Sequence, residues 1–258
     1  MSSIGVTEPG VVRWKAVCAY DGGLFHGWQS QTNAVAVQDV IETALEAVLK
    51  VKTRIHGSGR TDTGVHAIAQ VFHFDAHWPR EPAKMITALG TRLPPGVQVK
   101  SIRRARPSFH ARFDATGKRY HYRLLLGHAD PFEARWCWSH PKEISYERML
   151  ETAGILRGRH DFGAFCAHGG VERETTVRDL RRLELKRAGR RVRFVLEADG
   201  FLYKMARSLV GAIVNVGRGG LSLEDLRDLL DSRKRLPIVF TAPAHGLFLE
   251  RVFYKPGR

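Results

Sequence analysis

Ten residues between two alternating apolar stretches carry the side-chain types that could do chemistry: Gly57-Ser58-Gly59-Arg60-Thr61-Asp62-Thr63-Gly64-Val65-His66. Three glycines permit backbone conformations that other residues resist, so the loop can hold Arg60 and Asp62 in a constrained, outward geometry. A carboxylate two residues from a guanidinium is kept ionised, because the cation favours its charged form. An ionised, positioned Asp can serve as a nucleophile or as a charge stabiliser. The same residues also fit an Asx-turn in which Asp62 caps Gly64 for purely structural reasons. The loop by itself leaves both roles open.

Other readings of these residue types fail on detail. Gly57 to Gly59 is no phosphate-binding P-loop, since the GK[ST] ending and the following helix are missing. Asp62-Thr63-Gly64 matches the aspartic-peptidase triplet, and a dimer could supply a second copy. That dyad shares one proton between two carboxylates, however, and Arg60 opposes it. His73 and His77 fall four apart on an alternating stretch, a long reach for a shared metal. The three cysteines, Cys18, Cys137 and Cys166, are far apart and in no metal-ligand spacing. They argue against a disulfide scaffold or zinc ribbon and for a reducing compartment.

The elements that must position the loop follow from apolar spacing. Arg13 to Tyr20 alternates Trp14, Ala16, Cys18 and Tyr20 on one strand face. Val37, Val40, Ile41, Ala44, Leu45, Val48 and Leu49 keep helical spacing. Lys52 to His56 reads as a short strand, and Ile68 to Asp75 as another with Ile68, Gln70, Phe72 and Phe74 on one face. Pro82 opens a helix, Pro94-Pro95-Gly96 ends it, and Val97 to Ile102 closes the first half. The second half repeats that order. Arg119 to Leu126 is a strand with Tyr120, Tyr122 and Leu124 on one face. Ser145 to Leu156 is a helix, Val177 to Leu185 and Arg191 to Ala198 are strands, and Leu202 to Ile213 marks a long helix. A capping box from Ser222 to Asp225 starts another helix, and Leu247 to Tyr254 is the last strand. The expectation is an α+β chain of two similar ferredoxin-like (split βαβ) halves, residues 1–107 and 108–258, forming a shared sheet platform with a central active-site cleft.

Charge points to the partner. The 258 residues carry 41 Lys plus Arg against 26 Asp plus Glu, a formal +15 at pH 7, and thirty of those cations are Arg. Such a balance suits a polyanion, because each cation placed on a phosphate releases condensed counterions. Hydrophobic content of 43% is that of a folded globular protein. Met1 to Gly10 shows no basic-then-apolar leader pattern, and no apolar stretch is long enough to span a membrane, so a cytoplasmic location is expected. A non-catalytic RNA-binding module would explain fold and charge but leave the Arg60–Asp62 loop idle.

The loop resembles the G-R-T-D-x-G-V-H-A signature of the tRNA pseudouridine synthase A family. Tyr20-Asp21-Gly22 and Phe25-His26-Gly27-Trp28-Gln29 resemble that family's opening block. Phe109-His110-Ala111-Arg112-Phe113 with Lys118-Arg119-Tyr120-His121-Tyr122 resembles its central block. Gly158 to Phe165, Phe201 to Arg207, and Ala242-Pro243 with Gly246-Leu247 are similar to its later motifs, so the likeness spans roughly residues 13 to 254. Thr63 departs from the more usual Ala, and Gly90 and Gly96 stand where Asn and Asp are expected. The resemblance implies isomerisation of uridine in the tRNA anticodon stem-loop, with Asp62 as the nucleophile, attacking either base carbon 6 or the sugar. It implies that Tyr120 stacks on the uracil, that Arg207 pairs with Asp62, and that Leu247 packs against the base. Arg60 would fill the stack once the nucleotide is flipped out. It further implies a homodimer and neither a metal nor an organic cofactor, since isomerisation exchanges only a proton with solvent.

Overall fold

The computed structural model describes residues 10–167, 169 and 174–255, and structural statements refer to these. Residues 1–9, which make up most of the segment read for a leader, lie outside them. The chain divides into two compact units, Met1–Ala115 and Thr116–Arg258.

The first unit runs β1 (Val11–Tyr20), α1 (Val37–Leu49), β2 (His56–Gly57), β3 (His66–His77), α2 (Pro82–Gly90) and β4 (Val97–Arg104). β1 lies antiparallel between β4 and β3, and β2 pairs with β3. Trp14, Ala16, Cys18 and Tyr20 are all buried, as alternation requires. On β3 the alternation is overridden: Gln70 to Phe74 are buried on both faces, while Ile68 is exposed. The stretch 52–55 is irregular rather than a strand, because its backbone is satisfied from α1. Ile55 N donates to Glu42 Oε1 at 3.0 Å and Gln38 Nε2 donates to Ile55 O at 3.3 Å.

The unit boundary falls beyond residue 107, and Phe109 to Ala111 pack on β1 and β3. Arg13 Nη1 donates to Phe109 O at 2.9 Å, and Ala111 N donates to His73 Nδ1 at 3.1 Å.

The second unit runs β5 (Ala115–Leu126), β6 (Trp138–His140), α3 (Tyr146–Leu156), β7 (Gly158–Asp161), β8 (Val177–Leu180), β9 (Arg182–Ala188), β10 (Arg191–Ala198), α4 (Met205–Gly217), α5 (Leu223–Ser232) and β11 (Leu247–Tyr254). Its sheet has the order β11–β5–β10–β9, with β6 parallel to β5. The single strand expected over Val177 to Leu185 is two strands. β8 pairs with β7 in a small separate sheet, and the chain changes sheet at Arg181 to let β9 pair with β10. α4 begins at Met205, after Lys204 adopts φ +56°, so Leu202 stays outside the helix. The capping box at Ser222 and Asp225 is present, with Asp225 N donating to Ser222 Oγ at 3.0 Å.

Candidate functional site

The loop from 57 to 66 is anchored at three places, and Asp62 sits between the anchors. At its start, Ser58 N donates to Val71 O at 2.7 Å, Ser58 Oγ donates to Gln70 Oε1 at 2.6 Å, and Gln70 Nε2 donates to Gly59 O at 2.9 Å. Gln70 has no exposed surface, so these bonds are made without competition from water. Immediately before the Asp, Thr61 is buried. Its hydroxyl bonds Tyr20 Oη at 2.8 Å, and its carbonyl accepts from Trp28 N at 3.1 Å. After the Asp, Val65 N donates to Asp62 O at 3.1 Å, closing a turn through Gly64 at φ +80°. Gly22 N then donates to His66 Nδ1 at 3.0 Å, and the Asp21 carboxylate lies 3.1 Å from the same nitrogen.

Two glycines outside the loop make these approaches possible. A Cβ on Gly22 would lie 2.0 Å from Val65 O. Gly27 has φ +84°, and its Cβ would lie 2.7 Å from Thr61 O. Only glycine lets the backbone of residues 21–28 lie this close beneath the loop. The outcome is a half-buried Asp62 with exposed Arg60 and Thr63 on either side. A carboxylate held through both flanking peptides has little freedom to lose on meeting a substrate, which is what a nucleophile or charge stabiliser requires.

Arg60 and Asp62 belong to the first unit, and the other three expected site residues belong to the second. Tyr120 lies on β5, 8% exposed, edge-on to Phe201 with ring centroids 4.9 Å apart. Arg207 is the third residue of α4, and its Nε donates to Ala242 O at 2.7 Å while Ala242 N donates to Arg207 O at 3.1 Å. Leu247 is the first residue of β11 and is buried. One segment links the three. Tyr122, two residues along from Tyr120, donates its hydroxyl to Pro243 O at 2.9 Å, and its ring would meet a Cβ on Gly246 at 2.6 Å. Residues 242–246 are therefore gripped by Arg207 at one end and by Tyr122 at the other, and they deliver Leu247 into β11.

Spacing in the sequence did not reveal this support. Tyr20, Gly22, Gly27, Trp28 and Gln70 lie in a strand, a turn and another strand, and each reads there as ordinary core or turn. The family's opening block, Tyr20 to Gln29, was the only pointer, and it assigned no role. The sequence also gave no sign that His73 joins two other histidines. Its ring stacks on His56 at 5.0 Å and meets His110 at 4.6 Å. Burial, then the charge of Arg13 and the two histidines, pushes the His73 imidazole down to about 4.

A rigid Asp–Arg loop on an α+β chain of net charge +15 places the protein among enzymes that act on nucleic acid. Comparison with known proteins narrows this. The family model for tRNA pseudouridine synthase matches residues 16–114 and 153–255, and the chain belongs to that family. It is 38% identical over 246 residues to tRNA pseudouridine synthase A of Bacillus licheniformis, covering 94% of this chain and 99% of that one. It is 40% identical over 255 residues to the protein of the same name from Akkermansia muciniphila, covering 95% and 96%. A solved Cbf5-Nop10-Gar1 complex superposes on 69% of this chain and 40% of that one at 16% identity and TM-score 0.35, a likeness too slight to argue from. The chain isomerises uridine to pseudouridine in tRNA.

Proposed function

We propose that Asp62 is the nucleophile of this isomerisation and that the target uridine lies in the anticodon stem-loop. The observation that carries the assignment is the clamp. Of the two charged residues in the loop, Arg60 is exposed and Asp62 is the one whose neighbouring peptides are bonded on both sides. Its carboxylate attacks the nucleoside to form an adduct, the bond between base and sugar breaks, the uracil turns, and carbon 5 joins the sugar. The adduct bond to Asp62 then breaks, carbon 5 loses its proton, and the ring nitrogen freed from the sugar takes one up. Tyr120 stacks on the uracil and its hydroxyl assists loss of the carbon-5 proton. Arg207 holds the Asp62 carboxylate by charge, Leu247 packs on the base, and Arg60 fills the gap left in the RNA stack. The strand orders β4–β1–β3 with β2 beyond, and β11–β5–β10–β9, support reading the two units as ferredoxin-like halves. Three free thiols, Cys18, Cys137 and Cys166, support a reducing, cytoplasmic setting, and a homodimer completes the proposal.

Asp62→Asn tests the central claim. Asn keeps the size and turn-forming capacity of Asp but removes the charge and the nucleophile. The variant is expected to melt near wild type, to bind tRNA at least as well, and to release no tritium from carbon-5-labelled uridine. Measurable pseudouridine from a clean Asn preparation would show that the Asp only shapes the turn.

A further inference from the structure

The second unit carries a cavity of about 340 Å³ that none of the proposed catalytic residues lines. Of its lining, Arg123, Lys186 and Arg193 lie on the sheet face opposite Tyr120, whereas Leu124 and Val192 lie on Tyr120's own face. Three cations cross it in register: Lys186 on β9 pairs with Arg193 on β10, which pairs with Arg123 on β5. Like charges directly opposite one another on neighbouring strands are destabilising.

The next row on this face is Glu184, Val195 and His121, and the row after it is Arg182, Glu197 and Arg119, so carboxylates are interleaved with the cations. Arg119 meets Glu197 at 2.7 Å and Arg182 meets Glu184 at 2.6 Å. Among the described residues, Arg193 alone in the cavity row has an acidic partner within ion-pair distance, Glu250 at 2.8 Å. Arg123 lies over the Phe248 ring at 4.3 Å, and neither it nor Lys186 meets a carboxylate among the described residues. Burial and the neighbouring Arg193 pull the Arg123 guanidinium below its ordinary value, so this row is short of negative charge. Arg187 and Arg191 also line the cavity, as does one carboxylate, Glu133, which Arg191 meets at 2.7 Å. The half-buried indole of Trp136 supplies a flat wall, and buried Leu125 an apolar side chain on the same face as the row. An apolar slot of this volume with one planar wall and a cationic edge suits a ligand that is flat at one end and anionic at the other.

We propose that this cavity is a nucleotide subsite, which takes a phosphate on the Lys186–Arg193–Arg123 row and the attached base against Trp136. The nucleotide is either one of the tRNA chain other than the target or a free mononucleotide. The assignment does not depend on the roles given to Asp62 or Tyr120.

The test compares the full-length wild type with R123Q/K186Q, which retains side-chain length and removes two charges. Tritium release from labelled tRNA by the wild type establishes the activity separately. If the ligand is a tRNA nucleotide, the variant's KM rises about tenfold with kcat unchanged, and the slope of log affinity against log salt falls by about one to two. If the ligand is free, uridine monophosphate binds the wild type in a calorimetric titration, the variant loses that binding, and tRNA kinetics stay put. Removing the repulsion should leave the melting temperature level or higher in both cases. Unchanged KM and salt slope together with no nucleotide binding by the wild type would overturn the proposal. So would a change in sedimentation of the variant, which would make the row a surface between two copies of the chain.

Discussion

Gly22 is the point where one methyl group should disconnect the fold from the chemistry. Its backbone lies outside the positive-φ region, so alanine is conformationally allowed there and any effect is steric. The added Cβ would stand 2.0 Å from Val65 O and 2.3 Å from Val65 C, against an ordinary contact of at least 3.4 Å, leaving about 1.4 Å to be found. The obstructing atoms are backbone, so no rotamer change relieves the clash. Either the turn at 22–24 withdraws, breaking the bond from Gly22 N to His66 Nδ1, or Val65 rises and takes with it Asp62, whose carbonyl it holds. A displacement on the order of 1 Å in a positioned catalytic group costs roughly a hundredfold in rate. Overpacking of this kind costs about 1–3 kcal/mol of stability. Gly22→Ala should therefore remain folded at 25 °C, with a lowered melting temperature and kcat reduced about a hundredfold in the tritium-release assay at saturating tRNA. A variant with the stability loss but wild-type kcat would refute the claim that this contact positions Asp62.

Tyr20→Phe probes the same clamp without adding volume. Losing the bond to the buried Thr61 hydroxyl should cost about 1 kcal/mol and lower kcat several-fold, and equal kcat in the two proteins would count against the clamp. Gly154→Ala is the opposite case. The position is exposed inside α3 with nothing within 4 Å of the new Cβ, so a gain of roughly 0.5–1 kcal/mol in urea unfolding and unchanged kcat are expected. Acid should destabilise the first unit earlier than its carboxylates would. His73 has a folded value near 4 against an ordinary 6.5, and its Nδ1 accepts a bond from Ala111 N that protonation would break. A depressed imidazole binds its proton in the unfolded chain first, so stability is full above about pH 6.5 and is lost as pH falls toward 4. Asp75 and Asp114, both lowered by arginine partners, act only below their ordinary 3.8. Melting temperatures should fall between pH 7 and pH 5, and His73→Asn should flatten that fall.

Much of the scaffold was legible because it repeats at one scale. Val37 to Leu49 and Val97 to Ile102 each bury one face against one partner layer, and for such elements spacing and structure agree. Spacing misled where a residue answers to two partners. Ile55 bonds the side chains of a helix instead of a strand, and residues 177–185 leave one sheet for another at Arg181. Period-two patterning carries no information about either event. The site divided in the same way. Arg60 and Asp62 could be singled out because three glycines and two opposite charges in ten residues are unusual for a plain turn. Gln70 looked like one more polar residue in a strand, and only its burial against Ser58 and Gly59 identifies it as an anchor.

The rigidity of the Asp62 loop therefore does not originate in the loop. Gly57, Gly59 and Gly64 make it pliable, and pliability alone would leave the carboxylate free to wander. What fixes it comes from residues 20–28 and from Gln70, which lie up to some forty positions away in sequence and meet the loop only once β1 and β3 have paired. A carboxylate placed this way is aligned only in the folded first unit, and tertiary closure supplies an alignment that the substrate would otherwise have to induce. The motif thus names the proposed nucleophile, while the glycines at 22 and 27, which carry no chemistry, decide whether its loop is held in place.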